Sequence, residues 1–412
     1  MIDQFCPNPV VLQPLSTDPL RMHIDAVGQL LSQQGYTSST AKYTMRLLAD
    51  LSSWLQQHAL TATDCNEQLT GDFLQDRYRC RRPHRNDRAA LRRLLKHLRD
   101  QGVIPIPVVE TDTHACAPLV RDFQDYLLQQ RRLAPTTVAD YLDTVQRFFR
   151  ERFGTQSLNL EALCPQDISR FMVQQARRYS PSHAKLFATA LRSFFRFLLQ
   201  RGMTTHDLAQ AVPTVPNWRL SVLPKFMKAE DVDYLLQSVD RNTPQGQRDY
   251  AILLLLARLG LRAAEVVALS LDDLDWEAGE LRVRSKGQRY DRLPLPHEVG
   301  EALAAYICQG RPSVTTRRVF VRMRAPRRGF ANSQGISTIV RRALERAGLN
   351  PALKGAHLLR HSLATQLLQN GASLTEIGEL LRHQNIETTR IYAKVDQEAL
   401  RALAVPWPGG DA

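Results

Sequence analysis

Hydrophobic and polar positions follow the period of amphipathic helices over most of this 412-residue chain. One helical region covers residues 20–104 and a second covers residues 115–210. The segments LRRLLKHLRDQG (91–102) and LRSFFRFLLQRG (191–202) align without gaps at an offset of 100. This repeat indicates a tandem duplication, with chance similarity between amphipathic helices as the alternative. Gly102 and Gly202 stand where a helix ends in a left-handed residue, and Ser180-Pro181 predicts a helix start.

From residue 225 onward the pattern changes. Helices are predicted over 229–238, 247–259, 333–347, 357–369 and 374–381, the last preceded by a capping box of Ser373 and Glu376. Residues 280–295 (ELRVRSKGQRYDRLPL) alternate on both sides of a polar turn, which predicts a β-hairpin. We therefore expect a mostly α fold with a small β-sheet or hairpin, in the α+β class.

Three domains and one linker follow from these patterns. An extra N-terminal helical domain is expected at residues 1–110, and a second helical domain at 115–210. Residues 103–117 read as an extended connection. Residues 211–224 contain three prolines without a helical period, which predicts a linker. The largest domain is expected at residues 225–412, including a C-terminal tail.

The net charge of the chain indicates a class of binding partner. Lys and Arg number 54 against 41 acidic residues, a net charge of +13, which favours phosphate-rich partners over mere solubility. Residues 77–99 hold nine Arg and one Lys with one Asp, and residues 317–328 hold six Arg and no acid. Such runs repel themselves unless an anion is bound, so a solvated face explains them poorly. The predicted DNA-binding residues are Arg77, Arg79, Arg81, Arg82, Arg92, Arg93, Arg192 and Arg196.

Other classes of function are disfavoured. The six cysteines are scattered without a C-x-x-C pair, so neither disulfides nor a zinc site is expected, and Cys80, His84 and His97 lack a fourth ligand. The acidic residues near 272–275 cannot all face one site on a helix, and we expect no metal. The most apolar stretch, residues 251–256, is too short to cross a membrane, and no signal peptide is evident, so a cytoplasmic protein is expected.

Three further segments and the turn of the predicted hairpin carry a specific resemblance. LGLRAAEVVALSLDDLD (259–275) resembles the first active-site box of the tyrosine recombinase, or phage-integrase, family. HLLRHSLAT (357–365) resembles its H-x-x-R box, LLRHQNIETTRIY (380–392) its final box, and Ser285-Lys286-Gly287 its lysine turn. The match spans residues 223–395, and residues 115–210 more loosely resemble the family's SAM-like core-binding domain. The order and separation of the boxes make the combined signal strong.

The resemblance implies a set of residues for phosphodiester chemistry. Arg262 and Arg360 match the family's arginine pair, and forked guanidiniums suit the charge that builds on phosphate oxygens. Tyr392 matches the nucleophile, whose phenol leaves more readily than an aliphatic hydroxyl when strands are rejoined. Glu265, three residues after Arg262, is expected to orient its guanidinium, with a solvated ion pair as the alternative.

Proton transfer and phosphate binding are implied for three more residues. Lys286 would give a proton to the departing 5′-oxygen, with a turn lysine on phosphate as the alternative. His357 would accept or relay the tyrosine proton, and His383 would donate a hydrogen bond to the phosphate. The scheme needs no cofactor and no metal. Two positions depart from the family: Arg382 and Ser285 stand where glycine is common, so either the backbone at Arg382 is strained or its side chain reaches DNA.

The resemblance also implies an activity and partners. The chain would be a site-specific DNA recombinase of the integrase or transposase type, including transposon-encoded members, acting through a 3′-phosphotyrosine. The domains would form a C-shaped clamp on double-stranded DNA, as a homo-tetramer or in assembly with other recombinases. Residues 396–412 would dock on a neighbouring protomer. The alternatives are a type IB topoisomerase-like activity and a non-catalytic DNA-binding partner.

Overall fold

The chain folds into two compact units in the computed structural model, which describes residues 20–106, 116–154, 158–216, 224–284, 290–383 and 385–395. One unit combines Met1–Ile104 with Val222–Ala412, and the other is Pro105–Ser221. The second unit is therefore an insertion between two parts of the first. The sequence places domain boundaries close to these points, but nothing in it indicates that the N-terminal helices pack with the C-terminal region.

The N-terminal helices have a hydrophobic core of their own. They are α1 (Arg21–Gln33), α2 (Ser38–Gln57), α3 (Glu67–Cys80) and α4 (Asp87–Asp100). The Asn66 side chain caps α3 by accepting the Leu69 amide at 2.8 Å, which satisfies a helix N–H that has no helical partner. The apolar stripes of the helices meet around Leu48, Leu51 and Leu94. These residues form a core separate from that of the C-terminal region.

The inserted unit, like the N-terminal region, is built from successive α-helices. It contains α5 (Ala117–Asp125), α6 (Pro135–Phe153), α7 (Pro165–Arg178) and α8 (Pro181–Gln200), around a core rich in phenylalanine. Gly102 and Gly202 both have positive φ, +70° and +68°, as predicted for the ends of α4 and α8. The predicted helix start is confirmed, because Ser180 is the N-cap residue of α8 and Pro181 its first residue; the Ser180 hydroxyl lies 3.2 Å from His183 Nδ1. The duplication itself stays a prediction.

The C-terminal region surrounds one buried helix. Its helices are α9 (Ala229–Gln237), α10 (Pro244–Arg258), α11 (Ala263–Ala268), α12 (His297–Ala305), α13 (Gln334–Arg346), α14 (Ala356–Gln369) and α15 (Leu374–Leu380), followed by 3₁₀ segments Ile386–Thr388 and Arg390–Val395. Six consecutive residues of α10, 251–256, are completely buried, which explains the apolar run in the sequence. The core continues from α10 through the sheet to α14.

A small antiparallel sheet lies beside these helices. Its strands β1 (Leu274–Asp275), β2 (Glu280–Arg284) and β3 (Tyr290–Pro294) follow one another in sequence order. Leu281 pairs with Leu293, which turns the apolar side of the hairpin toward the core. The predicted hairpin strands and the capping box of Ser373 and Glu376 are confirmed. The mostly α fold with a small sheet is confirmed as well.

The N-terminal helices contact the C-terminal region near Gln34 and Arg327. The Arg327 amide donates a hydrogen bond to the Gln34 carbonyl at 2.9 Å. Next to it, Gly35 has φ +72°, and the Arg327 side chain would lie 2.5 Å from a β-carbon at that position. The left-handed backbone favours glycine at residue 35, and a β-carbon there would displace the end of the Arg327 side chain. Within the described ranges, no helix combines the length and apolar character needed to span a bilayer.

Candidate active site

The first arginine of the predicted pair lies at the start of α11. Arg262 is the N-cap residue, and the Glu265 carboxylate accepts both its backbone amide, at 2.8 Å, and its Nη1, at 2.7 Å. The Glu265 side chain is only 5% exposed. The expected orienting role of Glu265 thus has a geometric basis, because a buried carboxylate that holds both ends of Arg262 restricts where its guanidinium can point.

The second arginine joins the three sequence boxes. Arg360, on α14, is 4% exposed, and its guanidinium donates to the Gly260 carbonyl just before Arg262 and to the Leu381 carbonyl just before Arg382. Burial, together with the nearby charges of Arg262 and Arg382, lowers the pKa of Arg360 to about 10. Arg360 therefore remains protonated at neutral pH, but in a setting that favours the arrival of an anion.

Tyr392 is buried and has a histidine partner. Its side chain is 1% exposed, and its hydroxyl lies 2.8 Å from His361 Nδ1. Burial raises the pKa of Tyr392 to about 12, against the opposing effect of Arg360. The phenol is therefore neutral at neutral pH. The Tyr392 side chain packs with Ala364, Ile377 and Leu381 in a small core separate from the larger one.

Three histidines of the candidate site have lowered pKa values. Partial desolvation and the charges of Arg360 and Arg262 lower the pKa of His357, the most exposed of the three. Burial has the largest effect in lowering the pKa of His361, and electrostatic interactions with His357 and Arg360 lower it further. Burial and the neighbouring arginines lower the pKa of His383 to about 4. A neutral imidazole has one N–H and one free nitrogen, so its tautomer decides what it does.

His383 has a threonine hydroxyl as the partner of one ring nitrogen. Its Nδ1 lies 2.7 Å from the Thr389 hydroxyl, and Thr389 is completely buried. If the hydroxyl donates to Nδ1, the hydrogen of the neutral ring is on Nε2. This arrangement leaves Nε2 able to donate to a phosphate, the role that the sequence predicts for His383.

Arg382 places a third guanidinium in the site. Its backbone is left-handed, with φ +54°, as its replacement of a common glycine predicts. Its side chain is 6% exposed and donates from Nη2 to Glu265 Oε2 at 2.8 Å. The alternative of a side chain reaching out to DNA is wrong for this structure, because the guanidinium points inward.

Not every predicted site residue falls within the described structure. Lys286 and Ser285 lie outside the described residues, although the strands on either side form the predicted hairpin. The predicted tail contact of residues 396–412 also lies outside them. Arg262, Arg360, His357, His383 and Tyr392 all belong to the neighbourhood that Arg360 organises. Across the described ranges, no group of three or more His, Cys, Asp or Glu residues is arranged to hold a metal ion.

The predicted DNA-binding arginines differ in their surroundings. Arg79, Arg81, Arg82, Arg92 and Arg196 are exposed. Arg77 and Arg81 both pair with Asp50, at 3.1 and 3.0 Å. Arg93 lies over the Tyr36 ring at 4.7 Å. Arg192 donates to the Val212 and Pro213 carbonyls at 3.0 Å, so its guanidinium is engaged with the chain's own backbone.

His361 and Thr389 are the site residues that the sequence analysis missed. His361 directly follows Arg360 and lies four residues after His357, so helical spacing places the two histidines on neighbouring positions of one face. That spacing could have drawn attention to His361. No comparable signal marks Thr389, because a threonine six residues after a histidine has no characteristic meaning.

Comparison with known proteins agrees with this geometry. Residues 225–399 match the model of the phage integrase family, and residues 120–202 match that of the phage integrase N-terminal SAM-like domain. A putative integrase/recombinase y4rA of Sinorhizobium fredii is 44% identical over 392 residues, 95% of each chain. Tyrosine recombinase XerD of Listeria monocytogenes is 33% identical over 69% of this chain and 96% of its own.

Solved structures share the fold. XerH bound to palindromic difH substrate in a post-cleavage complex has a TM-score of 0.54 at 19% identity, over 88% of this chain and 96% of that one. A lambda integrase tetramer bound to a Holliday junction has a TM-score of 0.52 at 19% identity, over 75% and 88%. The chain belongs to the phage integrase family, the tyrosine recombinases, which cleave and rejoin DNA. The predicted family and enzyme class are confirmed.

Proposed function

We propose that this recombinase cleaves double-stranded DNA with Tyr392, forming a 3′-phosphotyrosine and a free 5′-hydroxyl. The observation that carries the proposal is the position of Arg360. Its guanidinium holds the backbone beside Arg262 and the backbone beside His383, and its charge acts on the Tyr392 phenol. One buried residue thereby brings the three sequence boxes together around a single anion-binding site.

The charges of the site support a phosphodiester as its ligand. Arg262, Arg360 and Arg382 bring three positive charges, and Glu265 brings one negative charge between two of them. The excess positive charge in a largely buried site is costly until an anion binds. A phosphodiester supplies one negative charge, and attack on its phosphorus develops more charge on the oxygens that the Arg262 and Arg360 guanidiniums would contact.

The proton of the nucleophile has an acceptor in direct contact. His361 is neutral at neutral pH because its pKa is lowered, and its Nδ1 lies 2.8 Å from the Tyr392 hydroxyl. In the proposed step the proton passes to Nδ1 while the phenol oxygen bonds to phosphorus and the bond to the 5′-oxygen breaks. A proton from Lys286 would complete the 5′-hydroxyl. Here His361 takes the proton-accepting role first expected of His357.

The reverse reaction and the partners complete the proposal. The 5′-hydroxyl of a partner strand attacks the phosphotyrosine, and the phenol recovers its proton. The solved relatives include a dimer on a core site and a tetramer on a Holliday junction. We expect the same kinds of assembly for this chain on DNA, including assembly with other recombinases, with the exposed arginines of residues 77–99 contacting additional phosphates.

Covalent trapping tests the proposal. Nicked suicide substrates drawn from DNA flanking the gene are incubated with the wild type, Tyr392→Phe and Tyr234→Phe, in the presence of a chelator. Tyr234 is 55% exposed on α9 and serves as the matched control. A protein–DNA adduct on denaturing gels is expected for the wild type and Tyr234→Phe alone. An adduct that survives Tyr392→Phe would disprove the assignment of the nucleophile.

A further inference from the structure

Arg382 occupies a backbone position that suits glycine better than any residue with a side chain. Its φ of +54° lies in the left-handed region, which residues other than glycine adopt infrequently. An arginine there for solubility would point to solvent, yet this side chain is 6% exposed. The role of the guanidinium must therefore lie in its contacts inside the protein.

Arg382 contacts both members of the Arg262–Glu265 pair, in addition to a hydrogen bond from its Nη1 to the Leu380 carbonyl at 3.2 Å. Its Nη2 donates to Glu265 Oε2 at 2.8 Å, while its carbonyl accepts from Arg262 Nη2 at 3.2 Å. Glu265 Oε1 in turn accepts Arg262 Nη1 at 2.7 Å. These bonds form a closed ring of Arg262, Glu265 and Arg382. Moving any member of the ring strains bonds to both others.

A second connection leads from Arg382 to the sheet. Among the described residues Arg382 Nε has no hydrogen-bond partner, and the Asp291 carboxylate lies 3.9 Å from it. Asp291 is the second residue of β3, the strand that follows the lysine turn in the sequence. The Arg382 guanidinium therefore lies between the carboxylate that orients Arg262 and a carboxylate on the hairpin strand.

We infer that Arg382 is a positioning residue for DNA cleavage: it fixes Glu265, and through Glu265 the guanidinium of Arg262, in the geometry that the phosphate requires. The inference rests on the proposed function, because it assigns Arg382 to the same reaction. Its effect is expected on the rate of the chemical step more than on DNA affinity, because Arg382 acts through Arg262 instead of presenting its own guanidinium at the surface.

The test compares two Arg-to-Gly variants at the same kind of backbone. Arg382→Gly removes the side chain and suits the left-handed conformation, so backbone strain cannot explain a loss. Arg132→Gly is the matched control, because Arg132 also has positive φ, +48°, and is exposed in the inserted unit. DNA affinity is measured by gel shift, and the adduct-forming rate is measured in single turnover at saturating suicide substrate.

We expect Arg382→Gly to form the adduct about 10- to 100-fold more slowly, as for a displaced catalytic group, with DNA affinity within about threefold of wild type. Arg132→Gly should cleave at the wild-type rate. Arg382→Lys should recover part of the rate, because it keeps the charge and one donor. A wild-type rate in Arg382→Gly, or a loss confined to affinity, would overturn the inference.

The route through Glu265 is tested separately with Glu265→Gln and the double variant Glu265→Gln/Arg382→Gly. If Arg382 acts through Glu265, the losses of the two single variants should not multiply. The double variant should then form the adduct at most about threefold more slowly than the slower of the two single variants. Multiplicative losses would show that Arg382 acts independently, which contradicts the inference. Absence of an adduct in the wild type would instead contradict the proposed function, so the two failures are distinguishable.

Discussion

Replacing Glu265 by glutamine removes a buried negative charge while keeping the shape of the side chain. The Glu265 carboxylate is 5% exposed and contacts Arg262 Nη1 at 2.7 Å and Arg382 Nη2 at 2.8 Å. Arg382 is 6% exposed, so water can replace little of the lost interaction on that side. Arg262 is 32% exposed and regains part of its solvation. The substitution therefore costs more free energy at Arg382 than at Arg262.

The magnitude follows from the cost of an uncompensated buried charge. Removing one partner of a buried ion pair costs about 3–5 kcal/mol, and two charges about 4 Å apart at an effective dielectric constant of about 20 interact by about 4 kcal/mol. Glutamine still offers an oxygen acceptor, so we expect Glu265→Gln to lower the free energy of unfolding by about 3 kcal/mol. The corresponding fall in melting temperature is on the order of 10 °C.

The assay is thermal and urea unfolding of the full chain with and without sulfate. An anion that binds the arginine cluster supplies the missing negative charge, so sulfate should raise the melting temperature of Glu265→Gln more than that of the wild type. Glu345→Gln is the control, because Glu345 is 62% exposed and lies 3.9 Å from Arg341, a pair expected to contribute less than about 0.5 kcal/mol.

Two outcomes would refute this reasoning. A loss below about 1 kcal/mol in Glu265→Gln would show that the carboxylate does not balance the two arginines. An equal response to sulfate in Glu265→Gln and Glu345→Gln would show that the anion acts on the whole protein and not on the cluster.

Three more predictions concern the nucleophile and the histidines. His361→Phe should slow adduct formation by about 100-fold or more with unchanged DNA affinity, because Tyr392 loses the acceptor at 2.8 Å; an unchanged single-turnover rate would rule out His361 as that acceptor. Thr389→Val should slow adduct formation by about five- to tenfold, the equivalent of about 1 kcal/mol, because the His383 ring loses its Nδ1 partner; a wild-type rate would contradict this orientation. Burial and Arg360 lower the pKa of His383 to about 4, so its neutral form favours the folded state above pH 6.5, and that contribution is lost as the pH falls from 6.5 toward 4. His383→Asn should therefore lose less stability than the wild type between pH 7 and pH 5 in urea unfolding, and parallel losses would refute the shift.

Local patterns in the sequence predicted the elements well. The hairpin strands alternate over residues 280–295, and the structure pairs Leu281 with Leu293 as that alternation requires. Gly102 and Gly202 have the left-handed conformation expected of helix ends. Such features depend on residues within a few positions of one another, where backbone sterics and hydrogen bonding leave few choices.

Partners that are distant in the sequence could not be predicted in the same way. His361 and Tyr392 are 31 residues apart, and their contact depends on how α14 packs against the last 3₁₀ segment. Arg192 matched the charge pattern of a DNA contact, but its guanidinium binds carbonyls of residues 212 and 213. For Arg382 the sequence left two alternatives, and only the structure shows that its side chain points inward to Glu265.

The contact between Gly35 and Arg327 has a consequence for the order of events during synthesis. Arg327 leaves the ribosome about 290 residues after Gly35. At roughly 5–20 residues per second, that delay is about 15–60 s. The first helices must hold their own core through that interval, while the whole inserted unit is made. An N-terminal region taken from a relative would therefore fold early. A poor fit between its residue 35 and Arg327 would affect folding only later, when most of the protein has been synthesised.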